Sequence, residues 1–377
     1  MKKKSTKRKE KRQLSPLEQK LNNFVIDHLA GIPFIQKIFF IDHLRTMIHA
    51  GLSIVEALDI LAKQMENKKL QNIIKKVKAE VEKGNPLSEV LSKYPKAFPN
   101  LYVSMIEAGE TAGKLEESLE QIVIQMQKSY DLRSSIRSAM IYPSVVLVAM
   151  GGIGVMMVTF VIPKLLIIFE DFDTELPLAT RALIVFTNIV TNPIYASISI
   201  TIIVSSIISF VTLLKKSPAF KRTIHKTTLK LPIFGKVIKK INLAQFSLTL
   251  SSMLKSTIPI IRAVEITGNT CSNATYRDSL KSSVEHIKSG TPLSEILRKD
   301  DNLFPPMVTE MIMVGERSGE VEQLLSELSN FYAKEVDKTM KNFTTIIEPV
   351  IILALGLAVA GMAVAVIMPM YNLVQNF

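Results

Sequence analysis

A glutamate framed by glycines occurs twice in this chain. Gly109-Glu110-Thr111-Ala112-Gly113 returns 206 residues later as Gly315-Glu316-Arg317-Ser318-Gly319. Glycine tolerates backbone angles closed to other residues, so a tight turn between helices would need it at these points. The carboxylate there has three possible uses. It can cap the next helix, where the positive end of the helix dipole favours it. It can face a partner protein. It can also join Glu107, Glu116, Glu117 or Glu120 around a cation, as oxygen-rich clusters do for calcium. The residues alone leave all three open.

Catalytic chemistry has little to work with. The chain contains no Gly-x-x-x-x-Gly-Lys-Ser/Thr loop to cradle a phosphate. The histidines at 28, 43, 49, 225 and 286 form no His-x-x-x-His pair, and none lies near the single Cys271. That lone cysteine excludes an intramolecular disulfide. With no tryptophan, zinc-ligand spacing or RNA-binding aromatic motif, nucleic acid is not an expected partner. The expectation is a non-enzyme, with no catalytic residue, cofactor or metal ligand assigned.

The elements that must position the glutamates are duplicated with them. Gly84-Asn85-Pro86-Leu87-Ser88-Glu89 returns as Gly290-Thr291-Pro292-Leu293-Ser294-Glu295, and Phe98-Pro99 returns as Phe304-Pro305. Between 83–120 and 289–326, 16 of 38 positions agree without a gap, far more than chance gives. Gly84 and Gly290 read as the residue after one helix. Asn85 and Thr291 read as caps of the next, with Pro86 and Pro292 at its first position. Ser53-Ile54-Val55-Glu56 has the form of a capping box. Pro259 stands where the offset would place a second Ser53, so that helix starts differently. Phe40 and Leu44, then Leu58 and Leu61, then Leu70, Ile74 and Val77 recur at helical spacing. Residues 38–137 and 244–343 are therefore read as two homologous bundles of about six helices each, with no convincing strand.

Three runs, 138–163, 182–214 and 349–377, contain no Asp, Glu, Lys or Arg. Each exceeds the roughly 20 residues that cross a ~30 Å hydrocarbon core. The first is transmembrane helix 1. Asn192-Pro193 breaks the second, which places transmembrane helix 2 at about 194–214, with 178–192 interfacial or extending the helix. Transmembrane helix 3 occupies 344–377. Tyr142-Pro143 corresponds to Glu348-Pro349, so the duplication includes the span, and Pro143 and Pro349 mark its entry. In the third span, Gly356 with Ala360 and Gly361 with Ala365 are four apart, the spacing that favours close helix packing in lipid. No Asp, Glu or His sits at the centre of a span, which argues against a proton-coupled transporter.

The flanks set an orientation. Arg133, Arg137, Lys215, Lys216, Lys221, Arg222, Lys338 and Lys341 border the runs, whereas Glu170, Asp171, Asp173 and Glu175 lie between the first and second. Basic flanks stay in the cytoplasm. The expected protein is an all-α integral membrane protein of the cytoplasmic membrane. Its amino terminus and both bundles face the cytoplasm, 164–181 forms an extracytoplasmic loop, 215–243 a basic cytoplasmic linker, and the carboxyl terminus lies outside. Residues 1–37 comprise a basic tail, eight of its first twelve residues being Lys or Arg, and a short amphipathic helix over 17–29. The formal net charge is +12, so attraction to anionic lipid is open for the tail.

The duplicated helical modules, the three spans and the residues Gly-Asn-Pro-Leu-Ser-Glu, Phe-Pro, Gly-Glu-Thr-Ala-Gly and Tyr-Pro resemble the type II secretion F family over about 38–377. The resemblance implies a non-enzymatic inner-membrane platform of a type IV pilus, a type II secretion system or a competence pseudopilus. It implies coupling of a cytoplasmic hexameric assembly ATPase to polymerisation of pilins or pseudopilins. It also implies contacts with inner-membrane alignment proteins, and a homodimer or higher oligomer. The alternative is a transporter or channel subunit. Its only support is that the chain is polytopic, and spans without central polar groups make a poor pathway.

Overall fold

The computed structural model describes residues 31–163, 185, 187–232 and 234–375. The tail and the amphipathic helix expected at 17–29, and the loop expected at 164–181, lie outside the described residues. All regular secondary structure among the described residues is helical. In chain order it comprises α1 (Phe34–His49), α2 (Ile54–Gln64), α3 (Lys68–Val81), α4 (Leu87–Ser92), α5 (Asn100–Thr111) and α6 (Leu115–Met156). Then come α7 (Pro193–Lys216), α8 (Pro218–Lys230), α9 (Phe234–Lys255), α10 (Ile260–Thr270), α11 (Ala274–Lys288), α12 (Leu293–Arg298), α13 (Pro306–Ser318) and α14 (Val321–Gln375). Six helices thus serve each repeat: α1 to α6, and α9 to α14.

The chain forms two compact units, and their border does not follow the repeats. Among the described residues, those from 31 to 130 gather with 249–266, while those of 131–248 gather with those from 267 to 375. The end of α9, the following turn and the start of α10 belong to the first unit although they lie in the second copy.

In the first unit the apolar stripes read from the sequence form the core. Phe40 and Leu44 of α1, Leu58 and Leu61 of α2, and Leu70, Ile74 and Val77 of α3 are all buried. Ser53 and Glu56 make the reciprocal capping box: the Glu56 N–H donates to Ser53 Oγ, and the Ser53 N–H donates to Glu56 Oε2 at 3.1 Å. Asp59 ties α2 to α3, accepting from Lys63 Nζ at 2.5 Å and Lys78 Nζ at 2.7 Å. Those two ammonium groups hold its carboxyl down at about 2. A buried polar contact also runs through this unit. Gln125 of α6 donates to Thr249 Oγ1 at 3.3 Å and accepts from Ser252 Oγ at 2.8 Å.

The second unit repeats the aromatic centre of the first. Phe40 meets Phe98 with ring centroids 5.5 Å apart, and their counterparts Phe246 and Phe304 meet at 5.3 Å. Tyr276 stands where Leu70 stands in the first copy. It packs on Phe304 at 5.4 Å and donates its buried hydroxyl to the Leu303 carbonyl at 2.7 Å. A separate apolar cluster joins Val237, Val336, Met340 and Phe343, with Leu132 and Ile136 of α6 packed against it.

Among the described residues three helices are long and apolar enough to cross a membrane: Leu115–Val161, Pro193–Lys216 and Val321–Gly361. Their most apolar windows have mean hydropathy 2.2 to 2.3 and are 0 to 12% buried, which leaves the apolar side chains outward, as lipid requires. α7 begins at Pro193 with the Asn192 side chain accepting from the Ile194 N–H, close to the expected start of the second span. Residues 187–191 before it are helical. No break separates bundle from span at 137 or at 343. α6 and α14 run through both positions, and Pro143 and Pro349 lie inside continuous helices rather than at helix starts.

His225 fixes α8 to α11. Its Nδ1 accepts the Ala274 N–H at 2.8 Å, at the first residue of α11, so the ring must be neutral. Burial, then the neighbouring Lys221 and Arg277 charges, push this imidazole below its ordinary value of 6.5. The unfolded chain therefore binds the proton before the folded one does. The contribution is intact above about pH 6.5 and is lost as the pH falls below it. The protection factor of the Ala274 amide, which corrects for the slower intrinsic exchange in acid, should fall between pH 7.5 and pH 5.5. His225→Gln, which keeps an acceptor but cannot titrate, should remove that pH dependence.

Candidate functional site

The two glutamates define equivalent sites, and each reaches backward along the chain. Glu110, half-buried at the end of α5, accepts from the N–H of Leu87 at 2.6 Å and of Ser88 at 2.9 Å. These are the first residues of α4, 23 and 22 positions upstream. Glu316 does the same for α12, accepting from the Leu293 N–H at 2.7 Å, the Ser294 N–H at 3.4 Å and the Ser294 hydroxyl. The expectation of a cap on the next helix is therefore corrected: the carboxylate caps the preceding one. The stop–start reading is corrected with it. Pro86 and Pro292 occupy the N-cap positions, not the first helical ones. Asn85 turns back to the Glu80 carbonyl and carboxylate at 3.2 and 3.1 Å. A proline at the cap has no side-chain oxygen to offer, so the first amides of the short helix need an acceptor from elsewhere.

The bracketing glycines have separate jobs. Gly109 and Gly315 are buried, and each lets the next helix approach. A Cβ on Gly109 would lie 2.6 Å from Ser118 Cβ, and one on Gly315 would lie 2.8 Å from Val321 Cα. Gly113 and Gly319 end α5 and α13 at φ +68 and +79, the left-handed region. The turn closes with the Lys114 N–H on the Gly109 carbonyl at 2.8 Å in one copy and the Glu320 N–H on Gly315 at 3.0 Å in the other. Gly84 and Gly290 close α3 and α11 in the same way, at φ +93 and +88.

Two of the carboxylates near Glu110 are paired. Glu116 meets His49 and Glu117 meets Lys114. No group of three His, Cys, Asp or Glu side chains is placed to hold a metal ion among the described residues. Burial pushes the Cys271 thiol up to about 12, which keeps it protonated and unreactive. In the third span Gly356, Ala360 and Gly361 are exposed along α14, and a Cβ on either glycine would meet nothing within 4 Å. Ala365 continues the same helix.

Two clefts open beside Glu110 in the first unit. One, of about 630 Å³, is walled by Pro86, Glu89, Asn100, Glu107 and Glu110. The other, of about 430 Å³, lies between Glu107 and Thr111 of α5 and Thr257, Pro259 and Arg262 of the second copy. Thr257 has φ +59, rare for a β-branched residue, and occupies the position equivalent to Gly51 at φ +85. Sequence reasoning missed Thr257 and the contribution of 249–266 to this unit. The missed signal was a threonine at the copy's turn glycine.

Against known families, the model described as type II secretion system protein F matches residues 40–163 and again 246–369. The chain is 35% identical over 335 residues to the type IV pilus assembly protein PilC of Thermus thermophilus, covering 89% of this chain and 82% of that one. It is 30% identical to PilC of Pseudomonas aeruginosa, covering 89% of this chain and 88% of the relative. It is 29% identical to the type II secretion system protein F of the same organism, over 88% and 81%.

If the glutamate is a cap, Glu110→Ala in the detergent-solubilised full chain should cost about 2 kcal/mol, the usual worth of hydrogen bonds to a charged group. Protection of the Leu87 and Ser88 amides against exchange should fall first. Gly315→Ala, which sets a Cβ against backbone, should cost about 1–3 kcal/mol. Unchanged exchange at Leu87 in Glu110→Ala would refute the capping role.

Proposed function

Since the chain belongs to the type II secretion system protein F family, we propose that this multi-pass membrane protein is the non-catalytic platform of a type IV pilus or type II secretion machine. The observation that carries this reading is that the family covers both repeats together with the helices that continue from them into the membrane. Relatives named for pilus assembly and for secretion are similar over the same nine-tenths of the chain.

In the proposed arrangement both bundles face the cytoplasm. There they contact an assembly ATPase, which carries out the nucleotide chemistry, and the spans meet pilins or pseudopilins. Alignment proteins and a second copy of the chain complete the platform. The exposed small residues Gly356, Ala360 and Gly361 offer a face for close helix contact. The two bundles would serve different partners. Their shared turn is kept while the neighbours change from Thr111 and Lys114 to Arg317 and Glu320, which alters both charge and shape beside it. The positive flanks of the spans support the cytoplasmic placement.

Deleting the gene should abolish filaments or secretion while leaving pilin levels unchanged; filaments of normal number in the deletion strain would overturn the proposal. Alkaline phosphatase fused after Phe377 should be active and after Lys240 inactive. The reverse pattern would refute the orientation while leaving the platform role untouched.

A further inference from the structure

The segment that follows the second span carries one sign of charge. Residues 215–240 contain nine Lys or Arg and no Asp or Glu. Two of these cations are used inside the fold: Arg222 pairs with Asp278 at 2.7 Å, and Lys240 with Glu335 at 2.7 Å. Lys215, Lys216, Lys226, Lys230 and Lys236 are exposed.

α8 is two-faced at helical spacing. Phe220, Lys221, Ile224, His225, Thr228 and Leu229 are half-buried, and the opposite face presents Arg222, Thr223, Lys226, Thr227 and Lys230. Ammonium groups and hydroxyls on one face are donors suited to phosphate oxygens.

Two aromatic contacts fix the depth of this segment. Phe220 of α8 meets Phe210 of α7 edge to face at 5.9 Å, and Phe210 lies four residues before the end of the uncharged run. Phe234 at the start of α9 meets Phe343 of α14 at 5.7 Å, six residues before the third uncharged run begins. Both ends of 220–234 are therefore held where spanning helices leave the apolar zone. Leu231 and Phe234, 44% and 50% exposed, lie between Lys230 and Lys236. Apolar side chains interleaved with lysines beside a span suit a membrane interface, where the rings enter the acyl boundary and the ammonium groups meet headgroups.

We propose that α8 and its flanking residues, 215–232 and 234–236, form a binding surface for anionic phospholipid headgroups of the leaflet reached by the carboxyl-terminal end of α7. This goes beyond the platform role and is tested without it. A nucleic acid or an acidic protein would use the same cations, but would have no use for the exposed Leu231 and Phe234 or for anchorage to two spans.

The full chain in a non-ionic detergent is titrated with dioctanoyl phosphatidylglycerol, and its melting temperature is followed. Phosphatidylglycerol should raise the melting temperature and phosphatidylcholine should not. Lys215→Gln, Lys216→Gln, Lys226→Gln, Lys230→Gln and Lys236→Gln together should leave the lipid-free melting temperature unchanged. They should lower the apparent affinity for phosphatidylglycerol by about five-fold per lysine. Should that variant fail to fold, Lys226→Gln with Lys230→Gln carries the same comparison. A control set with equal charge change at Lys68, Lys75, Lys76, Lys96 and Lys299 should keep the response. Equal protection by phosphatidylcholine, equal loss in the control set, or better protection by glycerol phosphate, an acidic peptide or an oligonucleotide than by phosphatidylglycerol each overturns the proposal.

Discussion

Each bundle depends on a carboxylate that reaches back 22 and 23 residues to the start of a six-residue helix. A helix that short has no stability of its own, because nucleation costs more than so few hydrogen bonds return. Its first amides follow a proline and have no local side-chain oxygen to bond. Glu110 and Glu316 satisfy these amides with a negative charge placed at the positive end of the helix. The same glutamates sit one residue after a buried glycine that brings the next helix to contact distance and three residues before a glycine that turns the chain. Three successive helices are thus held together by one five-residue motif. Losing the carboxylate would free α4 or α12 and unsettle the foot of the long helix that follows.

The duplicated parts keep this device and change the rest. Phe40 with Phe98 and Phe246 with Phe304 preserve the aromatic centre, with ring centroids 5.5 and 5.3 Å apart. The first helical hairpin of each copy diverges. In the first copy Gly51 turns the chain and Ser53 makes a capping box; in the second, Thr257 and Pro259 replace them. A non-glycine residue in the left-handed region costs about 1–2 kcal/mol, and a β-branched one is the less favoured choice. That strain is held in the hairpin of the second copy that packs into the first unit, on the wall of the 430 Å³ cleft. Divergence concentrated where one copy meets a different environment fits modules that share a fold without sharing a surface.

Much of this was legible in the sequence. Six helices per copy, the duplication, the capping box at Ser53 and the helix start at Asn192-Pro193 follow from spacing and from cap chemistry. What escaped was long-range or one residue out of register. Asn85 and Pro86 carry the composition of a cap, yet the acceptor comes from Glu110, and no local rule joins residues 23 apart. Likewise, an apolar run shows where a helix enters lipid but not whether the helix began earlier. The same 3.6-residue pattern continues from a half-buried face to a fully lipid-facing one without a signal at the junction. Membership of 249–266 in the first unit depends on tertiary packing, and its one local mark is Thr257.

The absence of a break at Pro143 and Pro349 has a mechanical consequence. A 42-residue helix is about 60 Å long and a 55-residue helix about 80 Å, against a hydrocarbon core of ~30 Å. Half or more of each therefore projects from the membrane as the last helix of a bundle. A proline inside a helix removes one hydrogen bond and softens it locally, but the lipid-facing segment cannot unwind, since its backbone groups have no water to bond. Bundle and span are therefore one rod in each repeat, and any load applied beside the Gly113 or Gly319 turn acts on a helix that already crosses the bilayer. A separate linker between bundle and span would have absorbed that load, and neither copy has one.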